Sequence, residues 1–536
     1  MNSNNHKKLV NIVGWLVFSI AFIVYFLSAE RTGSLWDCGE FITGAYKLQV
    51  VHPPGAPVFM IVGRMFTFIA EIFSSDPMDI SLAVNLMSGI CSAFAAMFVC
   101  WITIILGKLA LVGRAAEVSQ GELIAILGAG AVAGLSTAFC TSIWFSAVEG
   151  EVYSMSTFFT ALTLWIVIKW YNLPDEPEND RWIIFAVYSA GLSIGVHLLS
   201  LLTFPALALF YYFKKYKEHS LQGMAVAAAI GVAFIAAIQG LVILGIPKLW
   251  GTFELLMVNS FGAPVHSGLF PLLLVIGGLV FVGLRYAHRK QSGLMQQLIV
   301  AFSLVVIAFS TLGIVVIRAN ANTPINMNSP SDAMRLIPYL NREQYGERPL
   351  LRGPHFDAPV IKVNTEDRYG LVEDRYEIVD RKASYEFDSS DEMFFPRLGH
   401  QDENRKALYR QWIGKKQGAP SAGDNFSFFF NYQIGWMYWR YFMWNFSGRQ
   451  NGEQGFYPWD KSSGHWISGI HFVDTTIRGL PTEDGMPESM RAHEGRNEYY
   501  LLPFIFGLLG LFFQASRRNN DFLGLLAMFI ITGIGI

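Results

Sequence analysis

Two carboxylates whose spacing suits shared chemistry stand in a polar segment after the first apolar run. Asp37 and Glu40 are three residues apart, and a helix over residues 36–48 would place them on one face. Nearby side chains of types that contact sugars or phosphates are Arg31, Trp36, Lys47 and His52. A carboxylate can take the proton of an attacking hydroxyl, and cations can stabilise a departing phosphate. The alternative is a solvated loop in which Asp37 only caps a helix.

A second acidic pair, Glu149 and Glu151, stands between two apolar runs. Three further polar residues begin, end or interrupt apolar runs, and we count them with the candidate binding residues: Arg64, His197 and Arg318. His197 alone is more often a hydrogen-bonded core residue, and Arg318 can be explained by snorkelling to the membrane surface. The convergence of acids and bases on one face carries more weight than any single residue.

Long apolar runs must hold these loops in place. Of 536 residues, 52% are hydrophobic and 15% charged, well below the charged share of about 25% in soluble domains. The formal charge of -2 gives no basic field for nucleic acid, so no nucleic-acid partner is expected. We predict spanning helices near 10–29, 80–106, 122–141, 152–170, 182–196, 198–213, 221–246, 268–286, 294–317, 499–515 and 521–536.

Charge in the loops sets the predicted orientation. If the apolar segment 56–73 does not span, most Lys and Arg clusters fall on one side, as the positive-inside rule requires. The N-terminus is then cytoplasmic, and both acidic pairs face the outside. The first apolar run is long enough to span and lacks a good cleavage site, so we interpret it as an uncleaved helix.

The predicted fold is an all-α polytopic membrane protein of about 11 spans with an inserted extracytoplasmic α+β domain. We place a transmembrane catalytic module at 1–317, with 29–79 as its outer loop, and the soluble domain at 318–497. Helices at 498–536 complete the chain, which stops inside an apolar run and is expected to be a truncated form. The aromatic stretch 426–446 is either a buried or interfacial segment, the favoured interpretation, or a stacking platform for sugars.

Four stretches resemble one family of enzymes: WDCGEFITGAYKLQVVHPPGAP at 36–57, IRANANTPIN at 317–326, YLNREQYGERPLL at 339–351 and YWRYFMWNF at 438–446. They resemble the GT-C superfamily of polyprenyl-phosphate-sugar glycosyltransferases, which includes protein O-mannosyltransferases and lipid A aminoarabinose transferases. The likeness is to a bacterial branch of large membrane proteins related to an animal enzyme that O-mannosylates receptor ectodomains. It extends over essentially the whole chain, although members of that branch continue well beyond residue 536.

The resemblance implies roles for particular residues. Asp37 matches the loop acid that acts as base or orients the acceptor, and Glu40 falls in the same motif. Glu149 or Glu151 matches the acidic position after the third helix. By the same resemblance, a sugar, with mannose expected, moves with inversion from a polyprenyl-phosphate carrier to an acceptor hydroxyl on protein or glycan.

The expected partners are the lipid-linked sugar, the acceptor and membrane lipid. No cofactor is expected; Asp37, Glu40 and Glu151 could ligate a divalent metal, but we do not expect a required one. The location implied is a bacterial inner membrane with a periplasmic active site. Two alternatives are a transporter or flippase of lipid-linked sugar and a non-catalytic scaffold. Acids at the outer ends of the spans, rather than within them, favour surface chemistry over transport.

Overall fold

The computed structural model describes residues 3–114, 117–346, 348–481 and 486–534. The chain forms two compact units. Unit 1 comprises residues 1–341 and 509–536, and unit 2 comprises residues 342–508.

Unit 1 is a bundle of helices. Its helices are α1 (Ser3–Ser28), α2 (Cys38–Lys47), α3 (Pro57–Phe73), α4 (Pro77–Leu111), α5 (Gln120–Phe139), α6 (Thr141–Ala147), α7 (Val152–Asn172), α8 (Arg181–Ser193), α9 (Phe204–Lys215), α10 (Leu221–Ala237), α11 (Ile246–Leu255), α12 (Leu269–Arg289), α13 (Gly293–Phe309), α14 (Gly313–Asn320) and α15 (Ala333–Leu340). Near the end of the chain, α20 (Leu502–Arg517) enters this unit and α21 (Asn519–Phe529) follows it.

Seven stretches within the described residues are helical, long and apolar enough to cross a membrane. They are Asn5–Ser28, Pro77–Leu111, Gln120–Phe139, Val152–Asn172, Leu221–Ser260, Leu269–Arg289 and Gly293–Asn320. The polytopic helical fold is therefore confirmed.

The predicted number of 11 spans is not confirmed. The segments predicted at 182–196 and 198–213 form α8 of 13 residues and α9 of 12 residues, separated by a 3-10 turn. At 1.5 Å per residue, each is about 20 Å long, short of the roughly 30 Å hydrocarbon core. The segment at 499–515 forms α20, of 16 residues. The last predicted span, 521–536, forms α21 and a π-helical turn, and its residues 535–536 lie outside the described residues.

The long helix from Leu221 to Ser260 corrects another expectation. The span predicted at 221–246 was expected to end there, but helical structure continues to Ser260 because π-helical turns join α10 to α11 and extend α11. Such turns keep the backbone hydrogen-bonded while they shift the helix face.

Segment 56–73 forms α3, whose 17 residues are not among the seven candidate spans. Val58 donates its N–H to the Gly195 carbonyl at 2.7 Å, which ties the start of α3 to the turn after α8. Its two charged side chains, Arg64 and Glu71, pair at 2.9 Å. The helix thereby neutralises its own charges while it packs on α2 and α4.

Unit 2 mixes short strands with helices. Strands β1 (Arg352–Pro354) and β4 (Glu392–Phe394) pair, as do β2 (Val360–Val372) with β3 (Arg375–Phe387) and β5 (Gly448–Arg449) with β6 (Asn497–Glu498), all antiparallel. Its helices are α16 (Glu403–Ile413), α17 (Ala422–Phe428), α18 (Trp439–Phe446) and α19 (Glu488–Arg491). A small core forms around Phe356, Leu398, Tyr409 and Phe428.

The aromatic stretch 426–446 surrounds a buried cation. Arg440 is 1% exposed and donates hydrogen bonds to the carbonyls of Gly455 and Gly464 at 3.0 and 3.1 Å. Its guanidinium lies 4.4 Å from the Trp436 ring and 5.0 Å from the Trp444 ring, both of which are buried. Carbonyl dipoles and π faces therefore take the place of water around this charge. These two rings serve packing within unit 2.

Candidate functional site

Helix α2 carries the first acidic pair, as the spacing predicted. Asp37 occupies its N-cap position, but its side chain makes no capping hydrogen bond. Its carboxylate is exposed, whereas Glu40, one turn later, is half-buried. The buried face of α2 includes Phe41 and Ala45, which hold the helix against the bundle.

Glu40 and His52 form the centre of the site. The Nδ1 atom of His52 lies 2.9 Å from Glu40 Oε2, and the His52 backbone N–H donates to Glu40 Oε1 at 2.7 Å. The carboxylate therefore fixes both the imidazole and the loop that carries it. Ligand atoms of Asp37, Glu40 and His52 all lie within 4.8 Å of one another. Oxygen and imidazole donors at such distances suit either proton transfer or a divalent cation.

The second acidic pair faces the same loop from the start of α7. Ser34 donates its hydroxyl to Glu149 Oε2 at 2.8 Å, and Glu30 donates its N–H to the Val148 carbonyl at 3.0 Å. Glu151 is 6% exposed and caps α7 by accepting the Val152 N–H at 2.9 Å. The loop before α2 and the loop before α7 are thus joined directly.

Asn85 of α4 stabilises the loop before α2 where it meets the loop before α7. It is fully buried, and its Nδ2 donates to the backbone carbonyls of Glu30 at 2.5 Å and Thr32 at 3.2 Å. Gly150 packs against the same amide: a Cβ built there would lie 3.0 Å from Asn85 Oδ1 and 2.8 Å from Ile42 Cγ1. The residue between the two glutamates therefore has no space for a side chain.

The two buried or half-buried acids of the site, Glu151 and Glu40, have pKa values shifted in opposite directions. Burial raises the pKa of Glu151 to about 7. The negative charges of Asp37 and Glu149 add to this rise, while the Val152 N–H and His52 oppose it. Burial also disfavours ionisation of Glu40, yet the hydrogen bonds from His52 outweigh it and lower the Glu40 pKa. One buried acid therefore titrates near neutrality while its neighbour stays ionised.

His52 is held towards its cationic form. The hydrogen bond to Glu40 raises the pKa of His52 above its ordinary value, although burial acts in the opposite direction. The charges of Asp37 and Glu151 contribute to the rise. Burial raises the pKa of the neighbouring Cys38 thiol to about 12, which excludes this cysteine as a thiolate nucleophile at neutral pH.

Most of the predicted basic residues make other contacts. Arg318 donates to backbone carbonyls at the end of α2, Arg64 pairs with Glu71, and the Lys47 ammonium lies 3.9 Å from the centre of the Tyr46 ring. Of the two predicted histidines, His52 joins the ligand-atom cluster in the part of the chain described, whereas His197 does not.

The remaining predicted residues lie around the loops. Arg31 is exposed, and Trp36 is 87% exposed with a left-handed backbone (φ 64°). The His197 ring lies 5.6 Å from that of Tyr153, two residues after Glu151. His197 also accepts the Leu199 N–H at 3.3 Å, which caps a 3-10 turn.

Glu40→Gln is expected to reduce stability most below neutral pH. The pKa of His52 is raised in the folded state. The stabilisation of the fold by protonated His52 is therefore complete below the ordinary His pKa of about 6.5, and it is lost as pH rises through the raised pKa. The Glu40 contribution is present above its ordinary pKa and is lost in acid. We expect a loss of about 1 kcal/mol near pH 6 and a smaller loss near pH 9, measured as thermal unfolding in detergent. The pH dependence should disappear when Glu40→Gln is made in a His52→Asn background; an equal loss at both pH values would contradict the assignment.

Two residues of the site were not predicted from the sequence. Asn85 had a usable signal, since an amide inside an apolar span is costly and needs a partner. Tyr339, whose hydroxyl donates to the Val51 carbonyl next to His52, begins the stretch 339–351 that resembles the enzyme family, but its contact with the loop could not be predicted because 288 residues separate the two.

Acidic loops held at the ends of membrane-crossing helices define the class: an integral membrane protein with a candidate site at the ends of its spans. Residues 37–220 match the family described as "Protein O-mannosyl-transferase TMEM260 N-terminal domain". The resemblance of the chain to protein O-mannosyltransferases is thereby confirmed. Residues 346–430 match a family of unknown function, DUF8416.

Two curated relatives carry the same name. The protein O-mannosyl-transferase tmem260 of Dictyostelium discoideum is 26% identical over 167 residues, which cover 31% of this chain and 18% of the relative. The protein O-mannosyl-transferase TMEM260 of Mus musculus is 26% identical over 178 residues, covering 33% of this chain and 22% of the relative. The alignments thus span about a fifth of each relative's length. No solved structure matches the chain.

Proposed function

We propose that the protein is a membrane glycosyltransferase that moves a mannosyl group from a polyprenyl-phosphate carrier to a hydroxyl of a protein acceptor. The proposal rests on one observation: Asp37, Glu40 and His52 converge within 4.8 Å inside the segment that matches protein O-mannosyl-transferases. We place the reaction at the outer face of the membrane, in a bacterial inner membrane, with inversion at the anomeric carbon.

The chemistry assigns a role to each group. Asp37, exposed and not used for capping, takes the proton as the acceptor oxygen bonds to the anomeric carbon. The bond from that carbon to the phosphate oxygen breaks, and the lipid phosphate leaves with the bonding electron pair. His52, whose pKa the hydrogen bond to Glu40 raises, donates a hydrogen bond to the departing phosphate and stabilises its charge. Glu149 and Glu151 contribute to the site from the loop before α7. Arg31, Trp36 and His197 are candidates for contacts to the donor.

The test is label transfer in membranes that contain the chain. Radiolabelled polyprenyl-phosphate mannose is supplied, and label in protein is compared between the wild type and Asp37→Asn/Glu40→Gln. Label that reaches protein with the wild type alone would support the proposal. Equal label with both, or with membranes lacking the chain, would contradict it. Labelled lipid that changes leaflet without labelling protein would favour the flippase alternative.

A further inference from the structure

The loop that carries His52 is held by a segment more than 270 residues later in the chain. Val50 donates its N–H to the Ile325 carbonyl at 3.1 Å, and Met327 donates to the Val50 carbonyl at 3.0 Å, which forms a short parallel bridge. Ile325 also donates to Oε1 of Gln49 at 2.7 Å. Gln49 is 5% exposed, so this amide is a buried part of the junction.

Arg318 holds the start of the same loop. Its Nε donates to the Leu48 carbonyl at 2.7 Å, and its Nη2 donates to the Lys47 carbonyl at 3.0 Å. These carbonyls belong to the C-terminal end of α2, where a helix leaves carbonyls without intrahelical partners and has negative potential. The guanidinium therefore stabilises the point at which α2 ends and the loop begins.

Tyr339 holds the end of the loop. It is 1% exposed, and its hydroxyl donates to the carbonyl of Val51, the residue before His52. Gly55 packs against the same hydroxyl: a Cβ built there would lie 2.6 Å from the Tyr339 oxygen, and Gly55 has φ of 94°. The ring and the loop are thus fitted to each other on both sides of His52.

The position of Tyr339 is itself fixed. The N-cap of helix α15, which carries Tyr339, is Asp332, a residue only 2% exposed. The Asp332 carboxylate accepts the N–H groups of Met334 at 2.9 Å and Arg335 at 3.2 Å. A capped helix packed on α11 therefore presents the hydroxyl in one place.

We propose that residues 318–339 form a positioning clasp for loop 47–55, and that Tyr339 is the positioning residue that sets the place of His52 beside Glu40. The clasp lies outside residues 37–220, the part that matches the transferase family. The inference rests on the proposed function only for the reaction that His52 serves; the mechanical restraint of the loop can be measured without activity.

The test compares two tyrosine-to-phenylalanine variants of the full chain. Tyr339→Phe removes only the hydroxyl that reaches Val51. The matched control is Tyr25→Phe, because Tyr25 is also 1% exposed and donates its hydroxyl to a backbone carbonyl, that of Ala138, at 2.6 Å. Hydrogen exchange of the backbone amides at 48–55, other than the two prolines, reports the restraint, and mannosyl transfer from polyprenyl-phosphate mannose gives kcat and KM.

We expect Tyr339→Phe to speed exchange at 48–55 by about tenfold and to lower kcat by about tenfold with little change in KM, since small displacements of a reacting group cost rate. Tyr25→Phe should change neither. Unchanged exchange in Tyr339→Phe, an equal change in both variants, or unchanged kcat with faster exchange would overturn the proposal. Faster exchange in a chain whose wild type transfers no mannose would uphold the clasp and reject the proposed function.

Discussion

Asp37→Asn is expected to lower kcat for mannosyl transfer by about 10³-fold while KM for the lipid-linked donor stays within about twofold. Asparagine keeps the shape and the N-cap position of Asp37, but it cannot accept the proton of the acceptor hydroxyl at neutral pH. Because the Asp37 side chain makes no capping hydrogen bond, helix α2 loses none when the charge is removed. The measurement is steady-state transfer of labelled mannose by the purified full chain.

The matched control for this prediction is Asp76→Asn. Asp76 is also an exposed aspartate at a helix N-cap, and its side chain accepts the Met78 N–H at 2.9 Å. Asparagine is an equally good cap, so both stability and transfer should stay unchanged. A fall in kcat of less than about tenfold in Asp37→Asn would remove Asp37 as the base and leave it at most an orienting group.

Glu151→Gln is expected to stabilise the protein at pH 8 by roughly 3 kcal/mol, at 1.36 kcal/mol per pKa unit. The Glu151 pKa is raised to about 7 in the folded state, so the folded chain holds this proton more tightly than the unfolded chain does. Stability therefore falls as pH rises from about 4.5 to 7, and glutamine, which has no charge to bury, removes that fall. Thermal unfolding in detergent between pH 5 and 8 measures the difference.

Glu122→Gln provides the control for this variant. Glu122 forms a capping box with Ser119, a role that glutamine also fills. Hydrogen bonds to Ser119 lower its pKa, so it remains ionised throughout pH 5–8 and should give no pH-dependent change. If Glu151→Gln shows the same slope of stability against pH as the wild type, burial does not govern this acid.

The helical membrane fold and the first acidic pair could be predicted because both depend on local patterns. Apolar runs identify spans, and a three-residue spacing on a helix places Asp37 and Glu40 on one face. The number of spans was harder: α8 and α9 are apolar but short, because the chain turns at Gly195 and a 3-10 turn precedes α9. Hydropathy alone does not report such breaks.

The roles of the basic residues could not be predicted for a different reason. Arg318 was expected to bind phosphate, and that role stays a prediction, but the structure shows it at the end of α2, 270 residues away in sequence. Arg64 has a partner within its own helix, Glu71, two turns later. A charge in a sequence shows that a counter-charge or dipole is needed, and only the fold shows which one supplies it.

A single missing methyl group limits how sequences of this kind can diverge. Gly150 stands between Glu149 and Glu151, and a side chain there would meet Ile42 and the buried amide of Asn85. A side chain at the glycine would crowd Asn85, whose amide donates to the carbonyls of Glu30 and Thr32, so selection for any activity that uses both acidic loops also acts on a residue that has no chemistry of its own.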